Sequence, residues 1–228
     1  MNNIGLLIIA TNKYVSFLQN LLESADKFFL KKQNVTYFIF TDKEDMSFLN
    51  TKRNFVITKI NHKPWPLMTL HRYKFFKNIK DSLSKMDYLY YCDVDMRFVD
   101  YVDDEILSER VSTQHPYRYG TRGTPETNPK SLACVYPHEN MEYFAGGFNG
   151  GSSYEFLKMS ESISNNIDID YSNGIIAVWH DESHMNRYFI DNPPTKILDP
   201  GYCYGETMNI SFHKKLLALD KNHSIIRS

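Results

Sequence analysis

Short apolar runs alternate with helical repeats in the first half of this 228-residue chain, and this alternation constrains the fold most. Residues 4–10 form a continuous apolar run, which is typical of a strand buried on both faces. Apolar residues at helical spacing follow from 17 to 31, with Ser16 as the predicted N-cap. Apolar runs at 37–40 and 55–60 predict two more strands. This order predicts an α/β domain with a mainly parallel central sheet flanked by helices.

Composition excludes several classes of protein. The length suits one sizeable domain, and 42% hydrophobic and 23% charged residues are ordinary for a globular enzyme. A net charge of −1 gives no sign of a nucleic-acid partner or an acidic membrane. The three cysteines, Cys92, Cys134 and Cys203, lack metal-ligand spacing and favour a reducing compartment over a disulfide framework. Neither a signal peptide nor a membrane span is visible, so we expect a cytoplasmic chain without an anchor.

The later segments are less regular. A second helix is predicted to start near Thr69, because apolar residues recur on one face of it. Residues 117–137 contain Gly, Pro, Thr and Asn without periodicity, which predicts a long loop of the kind that is often functional. The runs at 156–163 and 175–178 predict a helix and a strand.

A strand predicted at 88–92 leads directly into Asp93, Val94 and Asp95. Alternate residues of a strand share a face, so both carboxylates would point the same way. Open α/β sheets bind ligands at the carboxyl ends of their strands, and two close carboxylates favour a bridging cation. Mg²⁺ or Mn²⁺ on such oxygens would clamp a diphosphate leaving group. A polar turn after a strand is the alternative, and these residues support both interpretations equally.

The segment 179–184 has the sequence Trp-His-Asp-Glu-Ser-His. A carboxylate here would stabilise a positively charged sugar transition state or attack its anomeric carbon, and Trp179 would stack on a sugar. His180 and His184, four residues apart on a helix, also suggest a zinc site, although Glu182 does not directly follow His180 as the H-E-x-x-H motif requires. A helix N-terminus that carries acidic residues is a third interpretation.

Two more segments suggest binding surfaces. The glycine cluster at 146–151 would let a ligand approach the backbone closely, or would form a glycine-rich turn. Neither a dinucleotide-binding motif nor a P-loop is present. The tail from Lys214 is basic and includes Lys221, His223 and Arg227, so it would either close over a diphosphate or fray in solvent.

Together these segments resemble glycosyltransferase family 6, which includes the histo-blood-group A and B transferases and the α-1,3-galactosyltransferase. The resemblance covers nearly the whole chain and is most specific at 177–186 and at 87–96, with support from 40–42, 146–151 and 194–196. It implies the GT-A nucleotide-sugar fold in a single domain over 1–228. The donor half would occupy about 1–100, the acceptor half about 101–210, and the tail at 211–228 would close over UDP.

The resemblance also implies the reaction and the residues that carry it. The reaction is a retaining, metal-dependent transfer from a UDP-sugar, in α-1,3 linkage, to an acceptor that ends in galactose, with or without fucose. Glu182 matches the catalytic carboxylate, and Asp93 and Asp95 match the motif that holds Mn²⁺, with Mg²⁺ as the alternative. The residues that match donor contacts are Ile9, Ala10, Thr11, Tyr14, Arg72, Asp93, Val94, Asp95, Ala145, Gly146, Gly147, His180, Asp181, Lys221, His223 and Arg227. Those that match acceptor contacts are His115, Thr124, Trp179, Asp181 and Glu182.

Donor choice in this family depends on the residues beside the glycine pair. The small side chains at 145–147 leave room for an N-acetyl group, so we expect UDP-N-acetylgalactosamine (UDP-GalNAc) as the donor, with UDP-galactose as the alternative. Two functions from other classes are a carbohydrate-binding protein without catalysis and a zinc-dependent hydrolase that uses His180 and His184.

The chain departs from the family pattern in two places. Mammalian members carry a membrane anchor and a stem before the catalytic domain, whereas this chain begins at the first strand, so we expect a soluble bacterial or phage-type member. Tyr117 and Arg118 replace the Gly-Phe that follows the His-Pro pair at 115–116, and the alignment of Thr124 crosses a gap. The acceptor is therefore less constrained than the donor.

Overall fold

The structure, a computed structural model, describes residues 1–139 and 141–226. Its strands are β1 (Asn3–Ile9), β2 (Asn34–Thr41), β3 (Asn54–Lys59), β4 (Tyr88–Cys92), β5 (Met96–Phe98), β6 (Arg110–Gln114), β7 (Phe144–Ser152), β8 (Lys196–Leu198), β9 (Tyr204–Gly205) and β10 (Leu216–Ala218). Its α-helices are α1 (Val15–Phe28), α2 (Leu67–Leu70), α3 (Arg72–Asn78), α4 (Lys80–Leu83), α5 (Ser153–Ser172), α6 (His180–Asp191) and α7 (His223–Ile226). Single 3₁₀ turns lie at Asn12–Tyr14, Asp104–Ile106 and Pro200–Cys203.

Seven strands form the central sheet in the order β3-β2-β1-β4-β7-β6-β8, and β5-β10-β9 form a small second sheet. Strand β1 is parallel to β2 and β4, and β2 is parallel to β3. Only β7 runs antiparallel to its neighbours β4 and β6 in the large sheet of the described chain. The predicted α/β fold with a mainly parallel sheet is confirmed.

Both faces of the sheet are covered at its centre, as the continuous apolar runs there predict, whereas Phe55, Val56 and Ile57 of the edge strand β3 are exposed. Leu6 belongs to the hydrophobic cluster shared with α1, whereas its neighbour Leu7 belongs to the cluster shared with α3 and α5. Successive side chains of a strand point to opposite faces, so a strand covered on both faces needs apolar residues at every position.

The pairing of β4 with β7 builds the edge of the sheet that carries the site. Cys92, the last residue of β4, pairs with Phe148, so the first half of β7 extends past the end of β4. The amide of Asp93 then donates to the carbonyl of Gly147 at 2.8 Å. The acidic motif and the glycine pair are therefore neighbours in space.

Two helix predictions need correction. Helix α1 begins at Val15, so Ser16 is not its N-cap, and the Ser16 hydroxyl donates to the Lys13 carbonyl at 2.8 Å. The helix predicted to start near Thr69 is instead the three short helices α2, α3 and α4. His71 and Ile79 separate them because both have ψ near zero rather than helical values (13° and 27°).

The strand predicted at 175–178 is wrong. This segment lies in an irregular connection between α5 and α6, where Ile176 and Val178 are exposed and Ala177 is buried. The amide of Val178 donates to the Glu126 carboxylate at 2.8 Å, and that of Ile175 donates to the Asp170 carbonyl at 2.9 Å. These hydrogen bonds, to the end of α5 and to the loop that contains Glu126, replace the hydrogen bonds that a strand would make with a neighbouring strand.

The glycine cluster lies within β7 and is not a turn. A Cβ at Gly150 would stand 2.3 Å from the Tyr90 ring, so glycine is required there for the sheet to pack. Gly146 and Gly147 differ, because they face the polar side chains at the edge of the sheet. The long loop predicted at 117–137 is confirmed, since residues 115–139 contain neither helix nor strand.

Among the helices of the described residues, we find none with the length and apolar character needed to cross a membrane.

Candidate active site

A cavity of about 310 Å³ opens at the carboxyl ends of β1 and β4, where open α/β sheets bind ligands. It brings together most of the residues that the sequence predicts for the site. These are Ile9, Thr11, Tyr14, Arg72, Asp93, Val94, Asp95, Gly146, Gly147, Trp179, His180, Asp181, Glu182, Lys221 and His223. They come from both halves of the chain and from the tail.

Asp93 lies at the floor of this cavity. Its Oδ1 accepts a hydrogen bond from the Tyr91 hydroxyl and lies 3.3 Å from Nη2 of Arg72. Burial raises the pKa of Asp93, and the Arg72 guanidinium opposes that shift. Its second oxygen, Oδ2, faces Gly147, where an added Cβ would come within 3.2 Å of it.

Asp95, two residues later, forms an ion pair with Lys221 of the tail. The two carboxylates line the same cavity, so they offer hard oxygen ligands at one place. Mg²⁺ and Mn²⁺ bind in proteins to one or two carboxylates together with substrate phosphates, and this donor set fits such an ion. The ammonium of Lys221 on Asp95 shows that a cation is already accommodated there.

Arg72 joins the acidic motif at 93–95 to the start of α6. Its Nε lies 2.9 Å from Oδ2 of Asp181, and its Nη1 donates to the Gly146 carbonyl at 2.8 Å. The guanidinium also stacks over the Tyr91 ring, 4.2 Å from its centroid. Burial raises the pKa of Asp181 to about 6, although Arg72 favours its ionised form. A single buried arginine therefore holds carboxylates from two distant segments.

Glu182 is held by two hydrogen-bond donors. The Gly146 amide donates to its Oε2 at 2.8 Å, and the Tyr143 hydroxyl donates to its Oε1 at 2.9 Å. Burial raises the pKa of Glu182 to about 7, and these two donors limit the rise. Because Glu182 lies in the first turn of α6, the helix dipole also favours its ionised form.

Of the predicted acceptor residues, His115, Thr124 and Trp179 are grouped near Tyr143, whereas Asp181 is paired with Arg72 beside the acidic motif. The Trp179 indole N–H donates to the Thr124 hydroxyl at 2.7 Å. The His115 ring packs against Tyr143, with the centroids 5.6 Å apart, and burial lowers the pKa of His115 to about 4. They lie close to Glu182, because the Tyr143 hydroxyl donates to its carboxylate.

Two predicted donor residues of the described chain, Ala10 and Ala145, are not among those that line the cavity. Ala10 and Ala145 are buried in the hydrophobic cluster shared with α1. Arg227 lies outside the described residues.

The structure adds residues that the sequence analysis did not single out. His62 contacts Thr11, with Nδ1 3.0 Å from Oγ1, and Trp65 packs edge-on against His180 at 5.1 Å between centroids. Tyr91 precedes Asp93 by two positions, so the two-residue period of a strand would have placed it on the same face. The added lining residues are His62, Lys63, Trp65, Met68, Thr69, Tyr91 and Ile226.

The geometry does not support a zinc site at His180 and His184. His180 lines the cavity, whereas His184 is buried behind it, with Nε2 3.6 Å from Oδ2 of Asp170. Within 1–139 and 141–226, no three His, Cys, Asp or Glu side chains are grouped so that they could hold a metal ion. A catalytic zinc needs three protein ligands, whereas a metal on substrate phosphates needs only one or two.

Comparison with known proteins decides the family. The model of glycosyltransferase family 6 matches residues 1–228. The chain belongs to glycosyltransferase family 6. Histo-blood group ABO system transferase 1 of Rattus norvegicus is 38% identical over 238 residues, which cover 99% of this chain and 68% of that protein. Globoside alpha-1,3-N-acetylgalactosaminyltransferase 1 of Homo sapiens is 32% identical over 237 residues, with 99% and 68% covered.

Family 6 membership confirms the resemblance that the acidic motif and the 177–186 segment indicate. It also supports assignment of the chain as a glycosyltransferase. In this family member Asp93 and Glu182 lie on either side of the Gly146–Gly147 backbone, one at the metal motif and one at the start of α6.

Proposed function

We propose that this chain is a retaining glycosyltransferase that moves N-acetylgalactosamine from UDP-GalNAc, in α-1,3 linkage, to an acceptor ending in galactose. The observation that carries the proposal is that Glu182, Asp93 and Asp95 line one cavity. Glu182 lies beside Gly146 and Asp93 beside Gly147, so the glycine pair separates the two carboxylates.

The donor would lie across the carboxyl ends of β1 and β4. Ile9, Thr11 and Tyr14 would hold the uracil and ribose, since they line the cavity beyond β1. The diphosphate would lie over the acidic motif, within reach of the basic tail residues Lys221 and His223. A divalent cation held by Asp93 and Asp95, Mn²⁺ or alternatively Mg²⁺, would neutralise the diphosphate and make it a better leaving group.

Glu182 would act at the anomeric carbon. As UDP leaves, positive charge develops on the sugar, and the Glu182 carboxylate would either stabilise this charge or attack the carbon directly. Tyr143 and the Gly146 amide fix the direction of the carboxylate, so Glu182 does not have to reorient during the reaction. Both routes give retention of configuration when the acceptor hydroxyl enters on the face that UDP leaves.

The preference for UDP-GalNAc comes from the family pattern, in which small residues at 145–147 leave room for an N-acetyl group; Gly147 itself offers little open space. A side chain there would be crowded by Asp93 at 3.2 Å and by Cys203 at 3.4 Å, so the residue has to stay small. The human relative is named as an α-1,3-N-acetylgalactosaminyltransferase, which agrees with this donor. The acceptor would bind between Trp179, Thr124 and His115, beside Glu182.

A donor-by-acceptor screen tests this proposal. UDP-GalNAc and UDP-galactose are each assayed for UDP release with galactose-terminated acceptors, in Mn²⁺ and in EDTA. We expect turnover only with metal and a higher kcat/KM for UDP-GalNAc. Binding of the sugars without any turnover would instead favour a carbohydrate-binding protein, and higher kcat/KM for UDP-galactose would refute the donor assignment.

Glu182→Gln gives the decisive variant. Its kcat should fall by about 10²–10⁴-fold, while UDP binding measured by calorimetry is retained. Glu142→Gln is the matched control. Glu142 lies just before β7 and accepts a hydrogen bond from the Gln114 side chain, so it makes the same change of charge outside the site. Near-normal turnover of Glu182→Gln would contradict the role of Glu182.

A further inference from the structure

The tail places a lysine directly on the metal motif. The Lys221 ammonium contacts Oδ2 of Asp95, and both side chains are largely buried, with 18% and 9% exposed. The Leu219 amide donates to the Asp95 carbonyl at 2.9 Å, so the backbone is fixed beside the same residue. Further along, Lys13 donates to the Ile225 carbonyl at 2.9 Å. The tail therefore crosses the cavity with Lys221 held on Asp95.

Each carboxylate of the motif therefore has a cationic side chain beside it without a metal. Asp93 has Arg72 at 3.3 Å, and Asp95 has Lys221. A divalent cation added to these two carboxylates would meet the Lys221 ammonium at contact distance. Like charges at such a distance repel by several kcal/mol at the effective dielectric of a protein surface, so the two cations are alternatives on Asp95.

A diphosphate removes this conflict. UDP brings negative charge into the cavity that Lys221 lines, and an ammonium is an ordinary partner for phosphate oxygens. Lys221 then has a new acceptor when it leaves Asp95, while the metal gains the Asp95 oxygen and the phosphate oxygens together.

We propose that Lys221 is the counter-cation of Asp95 in the donor-free enzyme and exchanges from Asp95 to the diphosphate when metal and UDP bind. This inference rests on the proposed function, because it requires a metal on Asp95. Its consequence is that metal binds weakly without UDP and that UDP and metal strengthen each other's binding through Lys221.

The test is a Mn²⁺ titration of the donor-free protein, followed by electron paramagnetic resonance or calorimetry, so that no turnover is needed. Lys221→Met should bind Mn²⁺ roughly three- to tenfold more tightly than the unmodified chain, because the competing cation is gone. Lys221→Arg keeps the charge and should behave like the unmodified chain. Adding UDP should tighten Mn²⁺ binding more in the unmodified chain than in Lys221→Met.

Lys63→Met is the matched control. Lys63 lines the same cavity, is exposed, and has no ion pair with another of the described residues. It therefore measures the general effect of removing one positive charge. A Mn²⁺ affinity of Lys221→Met that does not exceed that of Lys63→Met would overturn the inference. If Lys221→Met does not fold, as judged by its melting curve, the same comparison is made with Lys221→Gln.

Asp95→Asn separates failure of the inference from failure of the proposed function. If Mn²⁺ binding is lost in Asp95→Asn but is unchanged in Lys221→Met, the inference is refuted and the proposed function is not. If no Mn²⁺ binding depends on Asp95, the inference falls as well. Metal-dependent UDP release in the same preparations then shows whether the proposed transferase survives.

Discussion

Replacing Tyr143 with Phe is expected to move the acid limb of the pH–rate profile to higher pH. The Tyr143 hydroxyl donates to Oε1 of Glu182 at 2.9 Å, and it stabilises the ionised carboxylate that the proposed reaction uses. The variant keeps the ring and its packing against His115, and it keeps the Gly146 amide on the other carboxylate oxygen. Only the hydroxyl is lost, so the pKa of Glu182 should rise.

The size of the shift follows from the hydrogen bond. A hydrogen bond to a charged group contributes about 1.5–3 kcal/mol, and one pKa unit corresponds to about 1.36 kcal/mol. Water entering from the cavity would replace part of the lost bond, so we take the lower end, about one unit. The pKa of Glu182 would then rise from about 7 to roughly 8. The ionised fraction would fall about fivefold at pH 7 and about ninefold at pH 6, with little change above about pH 9.

The assay is kcat/KM for UDP release between pH 5.5 and 9.5 at saturating metal. Asp181 has a pKa of about 6 and lies next to Glu182, so the acid limb belongs to the pair. The difference between Tyr143→Phe and the unmodified chain isolates the hydroxyl.

Tyr188→Phe is the control for this experiment. Tyr188 lies on the same helix, α6, and its buried hydroxyl has no hydrogen-bond partner among the described residues. Its removal should leave the acid limb in place. The reasoning is refuted if the limb of Tyr143→Phe coincides with that of Tyr188→Phe or moves to lower pH.

Three more changes test the site and its surroundings. Arg72→Met leaves buried Asp181 without its cation and should lower the free energy of unfolding by about 3 kcal/mol in urea titrations; a change below about 1 kcal/mol would contradict this. Gly147→Ala brings a methyl group to 3.2 Å from Asp93 and 3.4 Å from Cys203, so Asp93 has to shift and kcat/KM should fall for both UDP-GalNAc and UDP-galactose, whereas an unchanged kcat/KM would contradict this. Burial lowers the pKa of His184 to about 4. The unfolded chain therefore binds more protons, and the contribution of His184 to stability is lost as pH falls from about 6.5 through 4, on the order of 3 kcal/mol. His184→Gln should remove this loss, and its pH dependence of melting temperature should differ from that of the unmodified chain in that window.

The sequence predicts the strands of the sheet centre well, because their burial on both faces leaves a continuous apolar run. Strands β1 and β4 are of this kind, and β4 leads into Asp93 as expected. The strand predicted at 175–178 is wrong because four apolar residues in a row do not specify the hydrogen-bond partners of their backbone amides. Those partners are Glu126, which is distant in sequence, and Asp170, which belongs to α5.

The sequence shows which acidic residues belong to the site, but it does not show which side chains hold them by hydrogen bonds. Tyr143 lies in a stretch without periodicity, and its hydroxyl reaches Glu182 across 39 positions of the chain. Nothing local to Tyr143 in the sequence marks it as a partner of Glu182. The pairing depends on the register of β7 against the start of α6, which only the folded chain defines.

Arg72 shows what the fold adds to the acidic motif. Asp93 and Asp181 are 88 positions apart, yet both lie within 3.3 Å of the Arg72 guanidinium, and Arg72 also bonds the Gly146 carbonyl. Glu182 accepts from the amide of the same glycine. A change in charge at Asp93 therefore changes how strongly Arg72 interacts with Asp181 and with the Gly146 carbonyl. This in turn changes the electrostatic potential at Glu182. Because of this connection, the acidic motif and Glu182 are electrostatically coupled, and substitutions at Asp93 should shift the pH profile of the proposed reaction as well as the proposed metal affinity.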